Sequence, residues 1–419
     1  MYALVDCNNF YVSCERLFNP KLKNKPVIVL SNNDGCAIAR SEEAKALGID
    51  MGTPAFMLQD KIDRNQVVVF SSNYTLYGDM SDRVMKTLAC FCSRMEIYSI
   101  DEAFLDLHNM PYHDLLHLGM RVRTTVMRDT GIPVSIGIAP TKTLAKMANR
   151  YAKKKFRDVG IFWAANQQLV NEMLSFTSVE DICGIGHAYA LLLKKNGFKT
   201  AFDFINASED WVRLNMSVVG LRLLNELRSI AAIPWEFEPP VKKNITHSRS
   251  FGYLLTKKDE IAEALSNYAA NCAMKLRQQQ THCREVTVFI QTNPHRTERP
   301  QYMRSITIEL ETASSNTAEL IRYVLKALDL IFKEGFDYMK AGVILSDLVP
   351  EHVIQQAMFD QANRGKNKRV MEAMDAVNRS IGKETVRMAV QGFSKRYRLR
   401  ADHLSQHYTT NIHHILKVS

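Results

Sequence analysis

The chain has 419 residues, too many for one ordinary domain, so two to four are expected. Its 46% hydrophobic content supports packed cores and excludes wholesale disorder, while Lys+Arg 54 against Asp+Glu 44 (net +10) favours an anionic partner, nucleic acid first. No apolar run is long enough to span a bilayer, Met1–Asp6 lacks the features of a signal peptide, and eight cysteines without a C-x-x-C pair point to reduced cytosolic thiols rather than zinc.

In chain order, the apolar run Tyr2–Val5 predicts a strand ending at Asp6, followed by Cys7 and a helix from Val12 to Phe18 stopped by Asn19–Pro20. Of the adjacent aromatics Phe10 and Tyr11, one is expected in the core. Pro26–Leu30 predicts a second strand, Ser31–Gly35 a turn, and Glu42–Leu47 a helix closed by Gly48. Leu76, Met80, Val84 and Leu88 recur every four residues, the buried stripe of a helix. Two short apolar runs, Glu96–Ile100 and Ala103–Leu107, then flank Asp101 and Glu102. A second helix carries Leu115, Leu118, Val122 and Val126, and the strand Val134–Ala139 closes a β-α-β-β-α-β order, which is ferredoxin-like.

In that fold the first and third strands lie side by side, which would bring Asp6 close to Asp101 and Glu102. An acidic pair alone fits an ordinary hairpin turn. Three strand-end carboxylates that converge are costly unless solvated, paired or bound to a cation, and they suit hard divalent ions such as Mg²⁺.

Farther on, Thr141–Arg157 holds seven cations (Lys142, Lys146, Arg150, Lys153, Lys154, Lys155, Arg157) and no acidic residue, so an anion such as phosphate is expected nearby. Ile182–Gly186 reads either as a plain helix–helix turn or as the hairpin of a helix-hairpin-helix unit, with Gly184 and Gly186 letting backbone N–H groups approach a DNA phosphate. Ile233–Pro240 reads as a Pro-rich linker, and beyond it the β-α-β-β-α-β order repeats up to Leu345. Gln355–Phe359 is a short polar-then-apolar peptide ahead of a basic, turn-rich tail. From Asp360 onward the tail has 12 Lys+Arg against 5 Asp+Glu.

Asp6 before Phe10–Tyr11, Ser99–Ala103 and Gly137–Lys142 resemble the catalytic signatures of Y-family translesion DNA polymerases. Ser31–Cys36 and the basic extension resemble the branch formed by catalytic subunits of bacterial DNA polymerase V and their plasmid-borne relatives. The resemblance implies an α+β, multi-domain right-hand polymerase: palm 1–19 and 74–165, fingers 20–73, thumb 166–240 with the helix-hairpin-helix, little finger 241–348 of ferredoxin-like order, and a C-terminal extension 349–419. It further implies that Asp6, Asp101 and Glu102, helped by the Cys7 backbone carbonyl, hold two Mg²⁺ ions. Tyr11 resembles the ring that excludes a ribose 2′-hydroxyl, with Phe10 packed beside it. Lys153 matches a triphosphate-contacting lysine, and Lys45 falls where many relatives have a triphosphate-binding arginine. Glu42 stands where those relatives often carry a tyrosine. Gln355, Met358 and Phe359 resemble a sliding-clamp-binding peptide. The implied partners are primer–template DNA, dNTP, the sliding clamp, a processed UmuD-like dimer and a RecA filament, with a cytoplasmic location, nucleoid-associated when active.

The implied activity is error-prone, template-directed addition of dNTPs in SOS damage tolerance and mutagenesis. No segment is left over for a 3′–5′ exonuclease. A non-catalytic DNA-binding adaptor at the clamp would not need three strand-end acids. A nucleotidyl cyclase would not need the helix-hairpin-helix, the second unit or the clamp peptide.

Overall fold

Alternation along the first strand sets the architecture. Tyr2 and Leu4 enter one core and Ala3, Val5 and Cys7 another, so this strand is covered on both faces. The computed structural model describes residues 1–108, 110, 115–238, 240–353, 363–393 and 397–416. These fall into two units, Met1–Pro239 with Asp402–Ser419, and Pro240–Ala401.

In chain order the first unit runs β1 (Tyr2–Cys7), α1 (Phe10–Phe18), β2 (Val27–Leu30), β3 (Ala37–Arg40), α2 (Glu42–Ala46), α3 (Gln59–Asn65), β4 (Val68–Ser71) and α4 (Tyr74–Ala89). It continues through β5 (Met95–Ile97), β6 (Glu102–Asp106), α5 (Leu115–Thr130), β7 (Val134–Ala139), α6 (Lys142–Lys155) and β8 (Ile161–Trp163). Four helices follow: α7 (Gln167–Phe176), α8 (His187–Lys195), α9 (Ala201–Ile205) and α10 (Glu209–Leu227). The main sheet has the order β5-β6-β1-β7-β8, so the first and third strands of the ferredoxin-like motif, β1 and β6, are neighbours. The small sheet β3-β2-β4 is built from the segment between α1 and α4.

The α4 stripe predicted from sequence is buried at Leu76, Met80, Val84 and Leu88 and packs with α1 and α5 against one face of the main sheet. On the other face, α6 lies so close to β7 that a Cβ at Gly137 would stand 2.1 Å from the Asn149 backbone nitrogen. Only glycine fits there. The small residues Ala145, Ala148 and Ala152 line the same contact.

The stretch predicted as a Pro-rich linker is pinned at its start. Trp235 stacks on Tyr2 with ring centroids 5.0 Å apart, and the Arg94 guanidinium lies 4.4 Å from the centre of the Phe237 ring.

The second unit comprises β9 (Ile245–Leu255), α11 (Lys258–Gln278), β10 (Thr281–Thr292), β11 (Met303–Ser314), α12 (Thr317–Ile331), β12 (Tyr338–Pro350) and α13 (Arg364–Ser380). Its elements follow the ferredoxin-like order along the chain, but the strands lie side by side as β11-β10-β12-β9. Both sheets split a pair of parallel strands, joined by α11 in the second unit and by the longer α1–α4 segment in the first. In the first unit the gap between β1 and β5 is filled by the next strand, β6. In the second, the gap between β9 and β10 is filled by the last strand, β12. Lateral order depends on tertiary pairing, which periodicity does not encode.

The C-terminal extension is more structured than its turn-rich composition suggests. α13 buries Met371 and forms a bidentate Asp375–Arg277 pair, both bonds 2.7 Å, within the second unit. From Asp402 the tail belongs to the first unit.

Candidate active site

β1 and β6 are antiparallel with Asp6 directly opposite Glu102, and by alternation both side chains share the face occupied by Leu4, Phe104 and α6. Asp101 precedes β6 in the turn closing the β5–β6 hairpin, where its carbonyl accepts from the Cys7 N–H at 2.9 Å. Ser99 folds this turn. Its hydroxyl donates to the Asp101 carboxylate at 2.7 Å and accepts from the backbone N–H groups of Asp101 and Glu102. The structure therefore brings Asp6 and Glu102 together and turns the Asp101 carboxylate toward Ser99. Among the described residues no group of three or more His, Cys, Asp or Glu side chains is assembled for a metal ion. The Cys7 thiol is buried on the opposite face, leaving only its backbone on the site side.

α6 supplies cations to the acids. Lys153 Nζ sits 2.5 Å from Asp6 Oδ1 and Lys146 Nζ 2.9 Å from Glu102 Oε2. Burial pushes the Asp6 carboxyl up, Lys153 pulls it down and the nearby Glu102 pushes it up again, leaving it raised to about 6. Two half-buried carboxylates that each hold an ammonium group are a donor set suited to hard cations, with the lysines as stand-ins.

These contacts correct the expectation of seven uncompensated cations on 141–157. The acids come from other segments, so a local sequence window misses them. Lys142 pairs with Glu96 at 2.6 Å and is nearly fully buried, so it is no phosphate contact, and Arg150 pairs with Asp181 at 2.5 Å. Sequence reasoning also missed Lys146 and Asn149 as site residues. Asn149 donates to the Ser135 carbonyl at 2.7 Å. The signal was present, because Lys142, Lys146, Asn149 and Lys153 recur at spacings of four, three and four, one helical face turned to the sheet.

Glu226 was missed as well. Fully buried, it accepts from the backbone N–H groups of Thr143, Ala232 and Ile233 at 2.7–3.0 Å. It thereby satisfies a donor at the first turn of α6 and fixes that helix.

The aromatic pair after β1 divides as expected. Phe10 is buried and Tyr11 is partly exposed. Asn9 starts α1 in the left-handed region (φ 48°), which asparagine tolerates better than most residues. Tyr11 stacks on Tyr77 (4.3 Å, 13°) and meets Tyr74 edge-on, so its ring is held rather than free. Across from it, Lys45 donates to Glu42 at 2.6 Å and to Asn9 at 2.7 Å, and Asn9 donates to Glu42 at 3.1 Å. Burial pushes the Glu42 carboxyl up, but the hydrogen bonds from Lys45 and Asn9 outweigh it and hold the group below the usual range.

Farther along, Gly184 has φ +96°, a conformation L-residues avoid, and Gly186 precedes α8 with open space around it. Gln355, Met358 and Phe359 lie outside the described residues. Among the described residues, no helix is long and apolar enough to cross a membrane.

Residues 5–150 match the impB/mucB/samB family, 242–358 match that family's C-terminal domain, and 368–418 match a domain of unknown function, DUF4113. Protein UmuC of Salmonella typhimurium is 42% identical, with 100% of both chains covered. Protein ImpB of the same species is 40% identical over 98% of this chain and 97% of that one. Among solved structures, a Y-family DNA polymerase chimera matches with a TM-score of 0.67 at 20% identity, over 83% of this chain and 99% of that chain, a likeness of fold. With the ferredoxin-like sheet and its paired strand-end acids in place, 42% identity to UmuC over the full length of both chains leads to one conclusion: the chain belongs to the impB/mucB/samB family.

Proposed function

We propose that Asp6, Asp101 and Glu102 form the catalytic centre of this polymerase. As a member of its family the chain is an error-prone, DNA-directed DNA polymerase that acts on primer–template DNA and dNTPs, and polymerases of this family depend on divalent metal ions. The observation that carries the assignment is the register placing Asp6 opposite Glu102, each already holding a cationic side chain.

Two Mg²⁺ ions would be held by Asp6, Asp101, Glu102 and the Cys7 backbone carbonyl, with the Asp101 side chain released from Ser99. Bound there, they supply Lewis-acid stabilisation of charge on the triphosphate and lower the pKa of the primer 3′-hydroxyl. In the reaction that oxygen bonds to the α-phosphorus and pyrophosphate leaves. Lys153, freed from Asp6, and Lys45, freed from Glu42, bind triphosphate oxygens as point charges. Tyr11, backed by Phe10, occupies the space a ribose 2′-hydroxyl would need. Gly184 and Gly186 present backbone to a DNA phosphate.

We assign residues 1–19 and 74–165 to the palm, 20–73 to the fingers, 166–240 to the thumb and 241–348 to the little finger. Gln355, Met358 and Phe359 anchor a sliding clamp. A processed UmuD-like dimer and a RecA filament are the further partners of a cytoplasmic enzyme that joins the nucleoid when active.

Primer extension by the purified chain tests the assignment. Glu102→Gln and Asp101→Asn each abolish incorporation while DNA affinity, which comes mainly from phosphate contacts, persists. Extension at the wild-type rate by either variant overturns it.

A further inference from the structure

The tail from Asp402 onward has no part in the catalytic reading, yet it is tied closely to the helix that holds Tyr11. His403 exchanges two hydrogen bonds with Ser71 at the end of β4: its carbonyl accepts from the Ser71 N–H at 3.0 Å, and its own N–H donates to the Ser71 hydroxyl at 2.9 Å. Asn73, which caps α4 by accepting from the Leu76 N–H, donates its side-chain amide to Ser405 Oγ at 2.9 Å and to the Gln406 carbonyl at 3.2 Å. Tyr408 stacks on Phe18 at the end of α1, with centroids 4.8 Å apart and planes 11° from parallel. The tail is thus fastened to the start of α4 and the end of α1.

Between those helices lies Glu15, a carboxylate only 2% exposed. It accepts from the Tyr77 hydroxyl at 2.7 Å and from the Ser405 hydroxyl at 2.9 Å. A buried carboxylate needs its donors, so each of the two hydroxyls helps fix the other through the shared oxygen. Tyr77, fully buried, is the ring on which Tyr11 stacks. A continuous chain of contacts therefore runs from Ser405 through Glu15 and Tyr77 to Tyr11.

We propose that segment 402–416 is a strap that positions the sugar-selecting ring, with Ser405 and Glu15 as positioning residues acting on Tyr11 through Tyr77. The inference rests on the reading of Tyr11 as the ring that excludes a 2′-hydroxyl, and it gives part of the DUF4113 region a role in nucleotide choice. Discrimination against a 2′-hydroxyl is a steric matter. A ring free to tilt admits the extra oxygen while leaving the deoxyribose path open, so loss of the strap raises ribonucleotide use without slowing deoxyribonucleotide turnover.

Single-nucleotide insertion by the full-length chain gives the ratio of kcat/KM for a dNTP to that for the matching rNTP. Tyr11→Ala collapses the ratio and serves as the reference. Ser405→Ala lowers it about twofold to tenfold, the range that loss of one hydrogen bond corresponds to. In that variant kcat for the dNTP is unchanged, and Ser405→Thr, which keeps the hydroxyl, restores the ratio. Tyr77→Phe removes the other hydroxyl on Glu15 and lowers the ratio as well, so the test does not depend on one variant folding. Wild-type ratios in both Ser405→Ala and Tyr77→Phe, with Tyr11→Ala relaxed, overturn the strap. A wild-type ratio in Tyr11→Ala overturns the assignment of the ring itself, and the strap's role in sugar choice falls with it.

Discussion

Lys142 and Glu96 form the most deeply buried ion pair at the edge of the site, and breaking it has a calculable cost. Their side chains are 5% and 7% exposed and 2.6 Å apart. The ammonium also donates to the Pro234 carbonyl at 2.6 Å and lies 4.9 Å from the centre of the Trp235 ring, while Glu96 accepts from the Glu236 N–H at 2.7 Å. Removing one partner strands the other charge away from water, a loss of about 3–5 kcal/mol for either Lys142→Met or Glu96→Leu. Additive losses would total about 6–10 kcal/mol. In Lys142→Met/Glu96→Leu no charge is stranded, and the remaining penalty is the orphaned Pro234 carbonyl and Glu236 N–H, about 1–3 kcal/mol for each that stays dry. The double variant is therefore less destabilised than the two singles combined. Urea titration of the full chain followed by tryptophan fluorescence measures this cleanly, because Trp163, Trp211 and Trp235, the chain's 3 tryptophans, all lie in the first unit. Singles costing less than about 1 kcal/mol, or a double variant equal to their sum, would refute the reasoning.

Asp6 carries a pH signature in the metal-free chain. Its carboxyl is raised from 3.8 to about 6, chiefly by burial, so the stability it contributes is present below 3.8 and lost as pH rises through 6. Asp6→Asn thus stabilises the metal-free chain at pH 7.5, by at most about 3 kcal/mol, and the gain vanishes by about pH 4 in urea titrations across that window. Gly137→Ala forces a Cβ to 2.1 Å from the Asn149 nitrogen and 2.3 Å from the Ala145 carbonyl oxygen, so α6 must shift. The expected loss is about 2–3 kcal/mol on the same fluorescence assay, with lower incorporation because Lys146 and Lys153 move with the helix. Met358→Ala with Phe359→Ala reduces synthesis on clamp-loaded primers and leaves clamp-free single-nucleotide insertion nearly unchanged. Each anchor is worth roughly 1.5–3 kcal/mol if fully buried, and tethering amplifies that contribution.

Much of the fold was legible because it follows local period. The stripe Leu76–Leu88, the largely apolar strand Val134–Ala139 and the split βαβ order of the first unit are all readable from the sequence. The strand order that puts Asp6 beside Glu102 followed from topology alone. What the sequence hid was long-range pairing. Lys142 finds Glu96 and Lys153 finds Asp6 across 46 and 147 residues. Glu15 meets Ser405 across 390. α13 escaped notice because its 17 residues include Gly365 and two asparagines, and it buries little beyond Met371. The second sheet's lateral order was hidden for a related reason, since the same element order fits two ways of filling the gap between parallel strands.

The central claim is that the strand-end acids hold the catalytic cations, and Mn²⁺ binding followed by electron paramagnetic resonance tests it most directly. With primer–template and a non-reactive dNTP analogue, the wild-type chain is expected to bind two Mn²⁺ ions per molecule. Asp6→Asn, Asp101→Asn and Glu102→Gln each lose at least one tight site while still binding DNA. Unchanged Mn²⁺ stoichiometry and affinity in all three variants would contradict the account.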